Sequence, residues 1–296
     1  MAYQSIVTIS AEIKQGMGGG MNGILIGLKN HPLRSFIYFF AAFSVIWTIV
    51  EGLTFFIPAL NLRHFVSLVI IMVVSAIYTA IMIRQPSKVV IPVRHTNTRI
   101  EIVFGDLFKE DGYRVISVNE FFDSEIGLPV SEKSLHGMLI TKCFGGYGKL
   151  FDEIIDHELE SIPAETINRT RGKTQKYPIG TTALIPINND RYLCFALCKT
   201  DISTGKAYSD VPTLWNALIG LWQKARVVLG GNVLVVPLVG SGQAAIGLPP
   251  RELLNIIMLS AIIETKTKEV ATCIRIVLSP NYFDTIDLNE VKHYWR

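Results

Sequence analysis

The stretch of this chain with the clearest capacity for chemistry is a glycine-rich loop at residues 240–247. It follows an apolar run, 232–239, that is rich in Val and Leu, and it precedes a segment, 248–254, that carries two prolines. This order predicts a buried strand, a loop and a helix. Because such a loop offers backbone N–H groups and a helix N-terminus to an anion, a nucleotide-type ligand is the first hypothesis.

Three known loop motifs nearly match this segment. Gly240, Gly242 and Ala245 have the spacing of the dinucleotide-binding fingerprint, but the two prolines delay the helix that this fingerprint requires. Leu248 stands where a P-loop has its phosphate-binding lysine, and Val239 replaces the first glycine of the serine hydrolase motif. A loop that binds no ligand stays the alternative.

Composition points to a membrane protein. Of the 296 residues 49% are hydrophobic, and the mean hydropathy is +0.36, so membrane segments are expected. Residues 84–296 carry 24 Lys and Arg against 23 Asp and Glu, without the basic excess of a general nucleic-acid binder. The four cysteines lack paired C-x-x-C spacing, which argues against a metal site or a disulfide framework and favours reduced thiols.

Two apolar runs predict a transmembrane hairpin. Residues 36–57 would span about 33 Å as a helix, and the second run, 65–83, contains no charge. Basic residues flank the open ends of the hairpin, so both termini are expected in the cytoplasm. The predicted organisation is a flexible or weakly helical leader over 1–32, a membrane hairpin over 33–84 and a cytoplasmic domain over 85–296.

Polar and small residues inside these runs invite functional hypotheses. Glu51 is an intramembrane carboxylate that could line a pore or contact another helix. The alternatives are a side chain that reaches the membrane surface and one that is protonated and inert. Ser75 with Thr79, and Ala76 with Ala80, have the small-x-x-x-small spacing of helix-packing faces.

From residue 88 onward strands and helices alternate, which predicts a single α/β domain. In such sheets ligands bind beyond the carboxyl ends of the strands, where the loops 105–106, 119–123 and 240–247 are expected to converge. The predicted strands are 89–93, 100–104, 114–119, 182–187, 192–197, 232–239 and 272–278, and the predicted helices are 149–160, 212–229 and a segment ending near 266.

Several segments, in this order along the chain, resemble the macro domain, an ADP-ribose-binding module. With the two apolar runs in front, residues 36–296 are similar to the transmembrane-macro effectors of type II Thoeris anti-phage defence. The resemblance implies an α/β fold with a macro-like three-layer mixed sheet flanked by helices. The segments that carry it are 105–107, 117–123, 134–137, 177–181 and 239–247.

The resemblance assigns roles to individual residues. Asp106, beside Leu107, matches the aspartate that accepts a hydrogen bond from the adenine amino group, and a turn residue is the alternative. Asn281 and Tyr282 stand where an aromatic side chain stacks on adenine, or they are ordinary surface residues. The loop that wraps the diphosphate is matched by Gly240, Ser241, Gly242, Ala244 and Gly247.

One departure from the macro pattern argues for binding rather than turnover. Asn119 matches the first Asn of the N-A-A-N segment, but Phe122 replaces the second, which orients the distal ribose and water in hydrolysing members. Without it a hydrolase lacks a positioned nucleophile, unless Glu120 or Asp123 takes over. No catalytic residue, metal or cofactor is therefore expected. Phe121, Phe122, Ser134 and His136 are expected to shape the pocket around the distal ribose, or His136 is structural.

The implied function is that of an anti-phage effector in the cell inner membrane. It would bind a signal made by a partner TIR-domain enzyme, ADP-ribose joined to an amino acid such as histidine, then form a homo-oligomer and disrupt the membrane. Nucleic acid is not an expected partner. The alternatives are a membrane-anchored ADP-ribosyl hydrolase and a reader of ADP-ribosylated partners.

A basic segment stands between residues 162 and 178. It is expected to be solvated, with a lid over the ligand's phosphates and a contact with anionic lipids as alternatives. Its members are Arg169, Arg171, Lys173 and Lys176.

Overall fold

The structure, a computed structural model, describes residues 21–57, 65–242 and 246–295, without the side chains of residues 21 and 22. Ala244 and residues 1–20 of the leader lie outside the described residues. The chain divides into two compact units. One contains the residues up to Ser87 together with Asp287–Asn289, and the other contains Lys88–Ile286 and Glu290–Arg296.

The first unit is built from three helices, α1 (Met21–Asn30), α2 (Pro32–Phe56) and α3 (Phe65–Ile83). Helix α2 begins on a proline, which suits the first helical turn because proline lacks an N–H and has a fixed φ. Both α2 and α3 are long and apolar enough to cross a membrane, so they are candidate membrane spans.

Helix α1 occupies part of the segment expected to be a flexible leader. It contacts both α2 and α3, and the Gly23 carbonyl accepts a hydrogen bond from the Gln85 N–H at 3.3 Å. A Cβ on Gly27 would overlap the backbone carbonyl of Ile83. The glycines of the leader therefore permit close packing of α1 against the end of α3.

Helix α3 buries one residue per turn. Ser75 and Thr79, predicted as a packing face, are both buried, and their hydroxyls donate to the carbonyls of Ile71 and Ser75. The alternative pair is less covered, since Ala76 is exposed and Ala80 is half-buried. The hydroxyls are satisfied by the helix itself, so small size rather than polarity makes this face suitable for packing.

The second unit is organised around a mixed sheet with the strand order β1-β2-β10-β9-β3-β7-β6. Strands β2, β10, β9, β3 and β7 run parallel, while β1 and β6 pair antiparallel at the two edges. A further strand, β8, pairs with β7, and β4 pairs with β5 apart from the main sheet. The strands are β1 (Lys88–Pro92), β2 (Arg99–Phe104), β3 (Tyr113–Asn119), β4 (Glu165–Thr166), β5 (Gln175–Lys176), β6 (Thr182–Ile187), β7 (Asp190–Thr200), β8 (Ala207–Tyr208), β9 (Leu234–Pro237) and β10 (Cys273–Leu278).

Helices cover both faces of this sheet. Strand β7 is buried at every residue from 192 to 198, as expected only where neither face meets water. One core joins Tyr192, Cys194 and Ala196 of this strand to α4 and α5, whereas α6 contacts β7 and packs on α7. The helices after α3 are α4 (Leu135–Phe144), α5 (Lys149–Glu158), α6 (Val211–Val228), α7 (Pro250–Thr267) and α8 (Leu288–Tyr294).

Local signals explain where these helices begin. Asp210, expected at the start of α6, caps it by accepting a hydrogen bond from the Thr213 N–H at 2.8 Å. Helix α7 begins only at the second of the two prolines, Pro250, so the glycine loop remains outside the helix. The three-layer mixed α/β fold predicted from the sequence is confirmed.

Candidate ligand-binding cleft

A cleft of about 850 Å³ lies beyond the carboxyl ends of β3 and β9, which is within the size range of ligand pockets. Among the described residues its lining contains two lysines, Lys133 and Lys206, and no carboxylate. The cleft is therefore suited to an anionic ligand. It is lined by 117–119, 127–131, 133–136, 205–207 and 238–242, together with Cys198.

The glycine loop forms one wall of the cleft. Gly240 has φ 86°, and a Cβ there would lie 2.7 Å from Cδ1 of Ile246, so only glycine fits without rearrangement. The Ser241 hydroxyl donates to the Leu238 carbonyl at 2.8 Å and holds the turn. Within the described chain, the backbone N–H groups of residues 240–242 have no hydrogen-bond partner. These amides are available to an anion.

The end of β3 forms the floor beside this loop. Asn119 lines the cleft, and its amide both donates to the Asp123 carboxylate at 2.7 Å and accepts from the Asp123 N–H at 3.1 Å. Asp123 is fully buried and also accepts from Arg169 at 3.0 Å and from the Lys173 N–H at 2.7 Å. This network fixes the orientation of Asn119 in the cleft.

The two aromatic residues predicted to shape the pocket lie in the core instead. Phe121 and Phe122 are fully buried, and neither is among the residues that line the cleft. The Arg169 guanidinium lies 4.2 Å from the centre of the Phe121 ring, and the Phe122 ring meets Tyr177 edge-on at 5.6 Å. Phe122 has φ 51°, a turn conformation that the spacing of residues could not reveal.

Ser134 and His136 do line the cleft, at the start of α4. The Ser134 hydroxyl accepts from the Gly137 N–H at 3.0 Å and donates to the Ser131 carbonyl at 2.7 Å, so it caps the helix. His136 is 5% exposed, and its ring lies 5.4 Å from that of Phe151. Burial lowers the pKa of His136 to about 3, so the imidazole is neutral at physiological pH.

The Nε2 atom of His136 is buried and has no hydrogen-bond partner among the described residues. Buried polar atoms are normally paired, so an unpaired one calls for an explanation. A hydrogen bond to a bound ligand would supply one.

The residues matched to the adenine site lie at the same edge of the sheet, outside the lining of the 850 Å³ cleft. The Gly105 N–H donates to the Leu278 carbonyl at 2.9 Å, and the Phe104 ring meets Phe283 at 4.9 Å. The loop after β2 thus adjoins the turn after β10, which contains Asn281 and Tyr282.

Asp106 acts as a turn residue, because its Oδ1 accepts from the Phe108 N–H at 3.0 Å. Its Oδ2 has no partner within the described part of the chain. Leu107 is buried, Asn281 is exposed and Tyr282 is half-buried. From β2 to β3 there are three strand spacings, about 14 Å. Asp106 and the cleft therefore lie along one edge, at a separation that an extended ligand can bridge.

One residue of the basic segment, Arg169, departs from the expected solvated patch, whereas Arg171 is exposed. Arg169 has a side chain that is only 3% exposed, and each of the four cations has a carboxylate within 4 Å. The segment is neutralised and holds the loop against the end of β3, which leaves little support for a free cationic lid. The pairs are Arg169–Asp123, Arg171–Glu125, Lys173–Asp156 and Lys176–Glu165.

The two candidate acid–base residues, Glu120 and Asp123, also bind other groups of the protein. Glu120 is buried, accepts from the Thr200 N–H at 3.3 Å, and has a pKa raised by desolvation. Asp123 is paired with Arg169, and neither carboxylate lines the cleft. Neither carboxylate is therefore placed in the cleft as a general base.

Sequence reasoning missed two walls of the cleft. The segments 127–131 and 205–207 meet across it, and Leu128 contacts the position of Gly205. The two lysines of the cleft, Lys133 and Lys206, were also not predicted as site residues. These loops are far apart in the chain, and no local pattern indicates that they meet.

A mixed sheet between two helical layers, with a glycine loop and a cleft at the carboxyl edge of its parallel strands, is the macrodomain arrangement. Residues 100–279 match the family model described as Thoeris protein ThsA, Macro domain, and the chain belongs to this family. The two candidate membrane helices in front fit a transmembrane form of it.

Solved structures resemble this chain with low sequence identity. A macrodomain of Oceanobacillus iheyensis with ADP has 16% identity and a TM-score of 0.47, covering 70% of this chain and 96% of its own. A variant of that macrodomain with ADPR has 16% identity and a TM-score of 0.48, covering 70% and 98%. No curated protein matches the chain.

Proposed function

We propose that this chain is an anti-phage defence effector whose macro domain binds an ADP-ribose derivative and whose apolar helices then disrupt the membrane. Membership in the Thoeris macro-domain family is the observation that carries the proposal. The cleft supports it, because a wall of unpaired backbone amides and a lining with lysines but no described carboxylate suit a diphosphate.

The ligand would lie along the carboxyl edge of the sheet. The amides of Gly240 and Gly242 would hold the diphosphate, and the free oxygen of Asp106 would accept the adenine amino group. Asn119 and His136 would then contact the distal ribose and the group attached to it. The separation of about 14 Å between the strands of Asp106 and Asn119 favours an extended ligand over a mononucleotide.

Binding without turnover is the favoured activity. Phe122 is buried in the core and replaces the asparagine that hydrolysing macro domains use, while Glu120 and Asp123 are held by Thr200 and Arg169. A hydrolase would need a water activated by some other group. A membrane-anchored hydrolase or a reader of ADP-ribosylated partners stays the second candidate.

The signal is ADP-ribose joined to an amino acid, histidine in the first instance, made by a partner TIR-domain enzyme. Occupied macro domains assemble into a homo-oligomer and bring the α2–α3 hairpins together in the cell membrane. Such a response requires the ligand to bind the assembled state more tightly than the monomer, because a ligand shifts an equilibrium only by its differential affinity.

The test uses the full-length protein in lipid nanodiscs, titrated calorimetrically with ADP-ribose, ADP-ribose joined to histidine, and AMP. Both ADP-ribose compounds should bind more tightly than AMP. Asp106→Asn should weaken their binding by about tenfold, which is the loss of about 1.4 kcal/mol. Asp111→Asn, an exposed carboxylate in the same loop, is the matched control and should bind normally.

Liposomes carrying the full-length protein test the second step. Addition of the bound compound should raise the molecular mass of the assembly and release an encapsulated dye. Failure of every ADP-ribose compound to bind would contradict the ligand assignment. Binding without dye release would leave an anchored reader, and release of ADP-ribose from a modified protein would identify a hydrolase.

A further inference from the structure

Helix α2 carries a stripe of small and polar residues, named here the 41–51 stripe: Ala41, Ser44, Thr48 and Glu51. Their spacing of three, four and three residues places them within an arc of about 80° on one side of the helix. All four are exposed in the first unit. The stripe runs for about 15 Å along a helix that is otherwise mostly apolar.

The opposite side of α2 is the side that its neighbours cover. Ser35 is buried, and Phe39, Ile46 and Val50 are half-buried. These positions lie about 140–180° from the centre of the 41–51 stripe when each residue turns the helix by about 100°. Packing among the described residues of one copy therefore leaves the stripe uncovered.

The stripe is unsuited to lipid contact because of Glu51. The Thr48 hydroxyl donates to the Ser44 carbonyl at 2.8 Å, so it needs no outside partner. The Glu51 carboxylate has no hydrogen-bond or ion-pair partner among the residues that the structure describes. Ionisable side chains inside a membrane are costly, and they face protein or a water-filled cavity.

We infer that the 41–51 stripe faces a water-filled lumen enclosed by the hairpins of several copies of this chain. The inference rests on the proposed assembly in the membrane. Direct packing of stripe against stripe would force carboxylates together, which disfavours their ionised form. A lumen instead hydrates Ser44, Thr48 and Glu51.

The lumen has a predictable selectivity. Each copy contributes one Glu51 at the same depth, so the copies form a ring of carboxylates near the carboxyl end of α2. Rings of acidic side chains select cations, whereas a nonspecific membrane lesion passes both signs. The channel formed by the full-length protein is therefore cation-selective.

The experiment measures reversal potentials across a planar bilayer with a KCl gradient, using the full-length protein and ADP-ribose joined to histidine. The wild type should show a severalfold preference for potassium over chloride. Glu51→Gln should lose this preference and keep the current, whereas Glu51→Asp should retain it. Ile49→Gln, exposed on another side of α2, is the matched control and should keep the wild-type selectivity.

A second measurement tests whether residues of the 41–51 stripe are accessible from the lumen. Ser44→Cys and Thr48→Cys channels should be blocked by a charged, membrane-impermeant thiol reagent, whereas Ile49→Cys and wild-type channels should be insensitive. Current with equal selectivity in wild type and Glu51→Gln, or equal block at residues 48 and 49, would overturn the lumen while leaving membrane disruption intact. The absence of any current in the wild type would overturn the proposed function as well.

Discussion

Replacement of His136 by phenylalanine should change how the stability of the protein depends on pH. The folded protein holds this imidazole neutral, because burial lowers its pKa to about 3. In the unfolded chain the pKa returns to about 6.5. The unfolded state therefore binds the proton first as the pH falls, so stability is complete above pH 6.5 and is lost progressively below it.

The size of the effect follows from the two pKa values. Proton binding to His136 costs almost nothing at pH 7.5, about 1.4 kcal/mol at pH 5.5 and about 2.7 kcal/mol at pH 4.5. Phenylalanine is an apolar ring that does not titrate, at a position where the present ring lies 5.4 Å from that of Phe151. Relative to the wild type, the His136→Phe protein should gain about 1.4 kcal/mol between pH 7.5 and pH 5.5.

The assay is urea unfolding of the full-length protein in detergent at both pH values, followed by tryptophan fluorescence, since Trp222 is fully buried in the second unit. Ile155→Val, in the same core, is the control. It should lower stability by about 0.5–1.5 kcal/mol at both pH values, because it changes packing without a proton. Parallel pH dependences for wild type and His136→Phe would refute the assignment of a buried neutral imidazole.

Three further substitutions test the packing that supports the cleft and the hairpin. Arg169→Ala leaves its carboxylate partner buried and unpaired, so the free energy of unfolding should fall by about 3–5 kcal/mol; Arg171→Ala, which removes an exposed pair, should cost less than about 1 kcal/mol in the same urea titration. Gly240→Ala puts a side chain at φ 86°, which costs a strain of about 1–2 kcal/mol. This substitution should weaken ADP-ribose binding by about tenfold in calorimetry. Unchanged affinity would remove this loop from the site. Gly27→Val should destabilise the first unit by about 1–3 kcal/mol in thermal unfolding. Gly52→Val is the control and should not destabilise it, because no atom lies within 4 Å of the added Cβ. Equal losses of stability would contradict the close packing of α1.

The cleft combines two kinds of support that differ in chemistry. The amides of residues 240–242 are held open by a glycine that no other residue can replace without rearrangement. Asn119 is held by the buried carboxylate of Asp123, whose Oδ2 also accepts from Arg169 and whose Oδ1 accepts from the Lys173 N–H. A preorganised site of this kind avoids the entropy of ordering loops when the ligand arrives.

The sequence by itself determined those features that depend on local spacing. Apolar periodicity predicted the alternating strands and helices, and uninterrupted apolar runs predicted α2 and α3 as candidate spans. The glycine loop and the Asp210 cap were predicted for the same reason, because a turn or a cap is decided within a few residues of the chain.

Tertiary structure alone decided which distant residues meet. Asp123 and Arg169 are 46 positions apart, and a basic segment read alone gives no sign of the buried carboxylate that neutralises it. Phe121 and Phe122 were expected in the pocket from the resemblance to the macro domain, yet the turn that follows β3 directs both into the core. Periodicity identifies an apolar side of an element, but the residue that covers it depends on the path of loops whose ends are far apart in sequence.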